Sequence, residues 1–137
     1  SPSNREQLVA KKCVPCEGGV APLSLAAVAE HLGLLDNWRL THDGQRIRQD
    51  RKFGNFMEAI EFFQRVAEVA EAEQHHPDLH LESYRKVWIE IWTHAVGGLT
   101  ENDFILAAKI DAALEGDELF QGLSDIDWEK VFAFVLQ

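Results

Sequence analysis

Three histidines and a carboxylate stand where elements of this chain should meet. His75 and His76 open the triplet His75-His76-Pro77 after a helical run, His94 closes a strand pattern, and Asp103 sits in the first turn of a further helix. Imidazoles titrate near neutrality and a carboxylate can orient one or stabilise its charged form, so the four groups are suited to proton transfer. They come from three junctions, where rigid elements can aim side chains into one pocket. The plain alternatives are a solvated turn for the two adjacent histidines and a helix cap without chemistry for Asp103. Glu71, four residues before His75, lies on the last helical turn and is equally suited to solvent.

Pro77 cannot continue a helix and biases His76 towards an extended backbone, which places both imidazoles at a helix-to-strand corner. Upstream, Asn55 can cap a helix from Phe56 to about Gln74, with Glu58 reaching back to it in a capping box. Phe56, Ile60, Phe63, Val66, Ala67 and Ala70 recur there at helical spacing, which predicts the main core helix, its aromatics serving packing. Downstream, Leu79 and Leu81 start a strand. After a turn at residues 83–85, Val87, Ile89 and Ile91 alternate with Trp88, Glu90 and Trp92, one apolar face against an unusual tryptophan-bearing one. Thr100 then caps a helix in which Phe104, Ala107, Ala108, Ile110, Asp111 and Leu114 run to Gly116.

Earlier in the chain, Ser24 caps a short helix with Leu25, Val28 and Leu32 on one face, ending at Gly33. Residues 38–53 form a hairpin about Asp43-Gly44, a tight turn with two positive-φ positions, and Trp38, Leu40, Ile47 and Phe53 are its apolar members. The order helix, two strands, helix, two strands, helix predicts an α+β fold: a two-layer sandwich of a four-stranded antiparallel sheet with helices on one face. Residues 1–22 read as an N-terminal arm broken by Pro15, Gly18, Gly19 and Pro22, residues 23–116 as the domain, and residues 117–137 as a C-terminal extension. The extension carries Trp128, Val131, Phe132, Val135 and Leu136 as an amphipathic stripe, expected to cover the Trp88/Trp92 face or that of a neighbouring subunit.

With 23 acidic and 13 basic residues the net charge is −10, which repels a phosphate backbone and argues against direct nucleic-acid binding. No apolar run reaches membrane-spanning length and the first residues lack a secretory block, so a soluble cytoplasmic protein is expected, a plastid or mitochondrion being the alternative compartment. Cys13 and Cys16 form a CxxC pair, half of a zinc site or a redox couple, but no second pair follows. Reduced thiols on a mobile arm are the expectation, with no metal.

The spacing of Glu71, the His-His-Pro triplet, Tyr84, His94 and Asp103 inside THAVGGLTENDF, together with WRLTHDG and FMEAIEFFQRVAEVAEAEQHHP, resembles the pterin-4a-carbinolamine dehydratase family from about Leu34 to about Leu114. The resemblance implies dehydration of a 4a-hydroxy-tetrahydropterin to the quinonoid dihydropterin, in tetrahydropterin recycling, with no cofactor and no metal. It implies that His75 and His94 flank the pterin as acid or base, and that Asp103 holds a histidine or stabilises its charged form. His76 would bind and orient the ring, with Pro77, Glu71 and Trp92 also at the substrate. Homodimers or homotetramers are implied as well. Gln74 departs from the acidic residue of animal members, so an imidazolium beside it has less support. Trp88 and Trp92 stand where family members are more polar. Two rivals are open: the same scaffold as a non-catalytic assembly factor or transcriptional cofactor, which binds a protein partner and does not need the histidines, and a metal site from His75, His76, His80 and His94. The second is disfavoured because adjacent histidines seldom both face one ion.

Overall fold

The computed structural model describes residues 2–15 and 20–115. Its elements are α1 (Arg5–Ala10), α2 (Leu25–Leu32), β1 (Arg39–Thr41), β2 (Arg46–Lys52), α3 (Phe56–Glu73), β3 (Asp78–Glu82), β4 (Lys86–Ile91), a 3-10 turn (His94–Val96) and α4 (Glu101–Glu115). The four strands form one antiparallel sheet in the order β1-β2-β4-β3, the α+β architecture expected. The C-terminal extension, with its expected amphipathic stripe, lies outside the described residues.

Strand parity decides the core. Ile47, Gln49 and Phe53 of the β2 row and Val87, Ile89 and Ile91 of β4 are buried, joined by Trp38 and by the helical residues Ala59, Phe62, Val66, Phe104, Leu106 and Ile110. The opposite row carries Arg46, Arg48, Trp88 and Trp92. Arg48 lies 4.6 Å over Trp88, and His80 stacks on the same indole at 4.7 Å. The β1–β2 connection is longer than the two-residue turn expected. Thr41 pairs with Arg46, and His42, Asp43 and Gly44 all take left-handed backbone angles.

Local capping follows the sequence closely. The Ser24 side chain accepts from the N–H of Ala27, and the Asn55 side chain from that of Glu58. Glu58 reaches back to the N–H of Gly54 rather than to Asn55. Helix phase was less legible. In α2 the buried positions are Val28 and His31, while Leu25 is 80% exposed. His31 turns inward because both ring nitrogens find partners, Nδ1 on the Ala27 carbonyl at 2.7 Å and Nε2 on Glu101 at 3.0 Å. In α3 the buried stripe is Ala59, Phe62, Val66, Ala70 and Glu73, with Phe62 tilted against Phe53 at 5.1 Å. Phe56 and Ile60, expected in the core, are partly open at 49% and 38% exposure, and Ala67 is exposed. Two apolar stripes share this helix, and the one that meets the sheet is set by tertiary fit.

The main core helix is α4 instead. Residues 102–108 are buried without a break, because α1, α2 and α3 all pack on it. Its Asp111 is held inside by Trp38 Nε1–H at 2.9 Å and Gln49 Nε2–H at 3.0 Å, with the Arg51 guanidinium 3.6 Å away. Burial pushes this carboxyl up from its ordinary value, outweighing those partners. The arm expected over residues 1–22 contains α1, capped by Asn4 and docked on α4 through a fully buried Leu8. Arg5 grips Glu115 and Lys11 pairs with Glu101 at 2.7 Å.

Removing the acceptor in Asp111→Ala leaves a buried indole N–H and a buried amide without it. The expected cost is about 2–5 kcal/mol in urea unfolding, and an unchanged midpoint would contradict this account. Acid should act on the docked N-terminal helix. Burial pushes Glu101 up, but hydrogen bonds from Lys11 and His31 outweigh it and hold the carboxyl below its ordinary value; the bond from Arg5 does the same for Glu115. A folded value below the unfolded one gives stability that is present above the ordinary carboxyl range and lost as pH falls through the folded value. Hydrogen exchange should therefore show Leu8 losing protection on acidification before the sheet does, and simultaneous loss would argue against it.

Candidate active site

The helix-to-strand corner is made by α3 stopping at Gln74, whose left-handed backbone (φ 55°) turns the chain while its N–H still bonds to the carbonyls of Ala70 and Glu71. The His75 N–H bonds to the Ala70 carbonyl at 3.2 Å, so this residue is fastened to the helix end by its own backbone. Pro77 then leads into β3.

His75 Nε2 lies 2.6 Å from Asp103 Oδ1, and since a carboxylate can only accept, the ring donates. That makes neutral His75 the Nε2–H tautomer and leaves Nδ1 as its basic nitrogen. Asp103 is 0% exposed. Its Oδ2 accepts from the Thr93 hydroxyl and from the Thr100 N–H, both at 2.8 Å. Because Thr93 spends its proton on Asp103, the Thr100 hydroxyl donates to Thr93 at 2.8 Å. Asp103 thus caps its own helix with one oxygen and holds the His75 ring with the other.

Above the pair lies a cleft of about 330 Å³ lined by Gln74, His75, His76, Pro77, Asp78, Trp92, Thr93, His94 and Ala95. His94 begins the 3-10 turn beyond β4 rather than ending the strand, and its ring is stacked on Trp92 at 3.9 Å. Trp92 is covered on its other side by Arg46 at 4.3 Å, and its Nε1–H donates to Asp78 at 3.1 Å. The indole therefore serves as a wall that holds His94. His76 is exposed and bonded to Glu71 Oε1 at 3.2 Å, which places Glu71 outside the cleft lining, as a partner of His76.

The structure brings together His75, His76, His94, Pro77 and Trp92 around one cleft, with Asp103 beneath His75. His80 is on the tryptophan face, stacked on Trp88, and among the described residues no group of three or more His, Cys, Asp or Glu gathers to hold a metal ion. Thr93 and Asp78 were not anticipated, and Thr100 was expected only as a helix cap. Thr93 continues the inward parity of Val87, Ile89 and Ile91, a signal the sequence does carry, but its carboxylate partner comes from another element. No helix among the described residues is long and apolar enough to cross a membrane.

Fold and site together set a cluster of histidines over a buried carboxylate on a four-stranded antiparallel α+β scaffold. The family model described as pterin 4 alpha carbinolamine dehydratase matches residues 21–113. The chain is 48% identical over 107 residues to Pterin-4-alpha-carbinolamine dehydratase 2, mitochondrial, of Arabidopsis thaliana, an alignment covering 76% of this chain and 57% of that protein. It is 50% identical over 105 residues to a putative pterin-4-alpha-carbinolamine dehydratase of Halorhodospira halophila, covering 77% of this chain and 95% of that one. Among solved structures, a transcriptional coactivator/pterin dehydratase from Brucella melitensis superposes with a TM-score of 0.62 at 31% identity, over 68% of this chain and 98% of that one. The chain belongs to the pterin-4a-carbinolamine dehydratase family.

The bond between His75 and Asp103 has a direct signature. A downfield, slowly exchanging imidazole N–H proton is expected on His75 in the NMR spectrum and should vanish in Asp103→Ala; its persistence there would mean that another group holds the ring.

Proposed function

We propose that this chain dehydrates pterin-4a-carbinolamines to quinonoid dihydropterins, with the His75–His94 cleft as the reaction site. Elimination of water places one proton on the 4a-hydroxyl and removes one from a ring nitrogen, and the departing oxygen leaves as water. His75 and His94 are the two imidazoles that supply and accept these protons. The observation that carries the reading is the hydrogen bond from His75 to the fully buried Asp103, at the floor of a cleft that also presents His94. The carboxylate behind His75 stabilises the ring when it is charged and keeps Nδ1 as the working nitrogen when it is neutral. Trp92 holds His94 in place, and His76 with Pro77 shapes the mouth where the pterin enters.

A second, compatible reading is favoured by one feature. Phe56, Met57 and Ile60 form an exposed apolar stripe along α3, away from the cleft. The Brucella melitensis relative is described as a transcriptional coactivator as well as a pterin dehydratase. A partner-binding role would use this stripe and would survive loss of the histidines, and copies of this chain are themselves candidate partners. The mitochondrial address of the Arabidopsis thaliana relative supports an organelle as one compartment for this chain, beside the cytoplasm.

The test is the decay of freshly generated 4a-hydroxy-tetrahydropterin with purified protein. His75→Ala and His94→Ala should each slow the accelerated reaction by about 10²–10⁴-fold, the usual contribution of one positioned acid or base, while the fold survives. No acceleration by folded wild-type protein would overturn the proposal. Wild-type rates in either variant would remove that histidine from the mechanism.

A further inference from the structure

We infer that the segment Lys11–Val14 is a positioning strap for the His75–Asp103 pair, acting through Glu73 and Asn102. The inference rests on the reading of that pair as catalytic. The strap itself, residues 11–14, precedes the stretch 21–113 that the family model matches, whereas Glu73 and Asn102 lie within it.

The two halves of the pair come from different helices. His75 follows the end of α3 by two residues and Asp103 is in the first turn of α4, so a bond of 2.6 Å needs both helix ends held in register. Glu73 and Asn102 sit two and one residues before His75 and Asp103. Both are buried and neither lines the cleft. Consecutive residues of the N-terminal segment bridge them. The Cys13 N–H donates to Glu73 Oε1 at 3.0 Å, while the Val14 N–H donates to Asn102 Oδ1 at 3.0 Å and Asn102 Nδ2 donates back to the Val14 carbonyl at 2.7 Å. The Asn102 amide thus pairs with the main chain of Val14 in both directions, as a neighbouring strand would. Pro15 favours the extended backbone this pairing uses.

Each end of the bridge is secured. Glu73 Oε2 accepts from Lys109 of α4 at 2.8 Å. Burial pushes the Glu73 carboxyl up, but Lys109 and the Cys13 N–H together hold it below its ordinary value, so it stays an acceptor at neutral pH. Upstream, α1 is anchored by Leu8 and by the Lys11–Glu101 pair. Cys13 itself is a packed thiol, pushed up to about 12 by burial and by the Glu73 charge, with Sγ 3.5 Å from the Asn102 carbonyl. A neutral thiol at this place is a contact in the strap and a poor nucleophile. The first half of the CVPC motif thereby acquires a role in geometry.

Val14→Pro is the sharpest variant, because it removes the N–H given to Asn102 while the Val14 side chain is 55% exposed and no cleft residue changes. Asn102→Ala removes both bonds. In the full chain, kcat for 4a-hydroxy-tetrahydropterin should fall roughly 10- to 100-fold, the usual effect of a small misplacement of a reacting group. KM should stay within about twofold. The pH–rate profile should move, and the downfield His75 N–H resonance should shift or broaden. A clamp that serves stability alone would lower the melting temperature and leave kcat, pH profile and resonance as in wild type, and that result in both variants would overturn the proposal. If Asn102→Ala fails to fold, Val14→Pro decides. If wild-type protein proves inactive, the dehydratase reading fails and the His75 resonance alone decides whether the strap holds the pair.

Discussion

The structure turns on one buried charge. Asp103 has no solvent access, and a carboxylate taken from water is tolerated only where hydrogen bonds replace its hydration. It has three, from the His75 ring, the Thr93 hydroxyl and the Thr100 N–H. These donors come from the end of α3, the exit of β4 and the start of α4, so satisfying one carboxylate brings three junctions to one point. The helix N-terminus adds its own favourable field for negative charge. Helix capping and the bond to His75 are then one arrangement around a single carboxylate.

A second carboxylate plays a comparable part about two turns further along the same helix. Asp111 ties α4 to Trp38 and to Gln49 of β2, in an interior where burial already pushes its carboxyl up. With α1, α2 and α3 packed around it, α4 is buried along most of its length, and its two buried acids, Asp103 and Asp111, are internal connectors. The N-terminal residues belong to this system. They lie on α4 and touch the backbone neighbours of both members of the pair, so a segment with the punctuation of a loose arm is structurally continuous with the site.

What was legible in the chain was the chemistry of short distances. Ser24 and Asn55 cap the helices they precede, Pro77 ends the α3 run at the histidines, and the alternation from Val87 to Trp92 assigns both faces of β4. What was not legible needed partners remote in sequence. The aromatic residues of α3 suggested a core stripe through Phe56 and Ile60, yet the helix buries Ala59 and Phe62, because one helix can carry two apolar stripes and only the sheet beneath it chooses. His31 stands outside the stripe of Leu25, Val28 and Leu32 that the spacing puts on one face. It is buried because Glu101, 70 positions away, completes its hydrogen bonding. Trp92 read as a substrate contact, and it lines the cleft, but its packing against Arg46 and His94 was visible only in the fold.

The sequence by itself determined the element types and order from α2 to α4, the positions of most junctions, and which residue types stand at them, since these depend on backbone preferences, capping and period that act within a few residues. The groups at those junctions, with Glu71, Tyr84 and the WRLTHDG and FMEAIEFFQRVAEVAEAEQHHP stretches around them, marked the family. Only the tertiary structure decided which oxygen of Asp103 faces His75, that Glu71 serves His76 outside the cleft, that Trp92 braces His94, and that residues 11–14 reach the helix ends behind the pair. The physical reason is that a buried polar atom must find a partner wherever the fold can supply one, and its choice depends on distances that sequence separation does not encode.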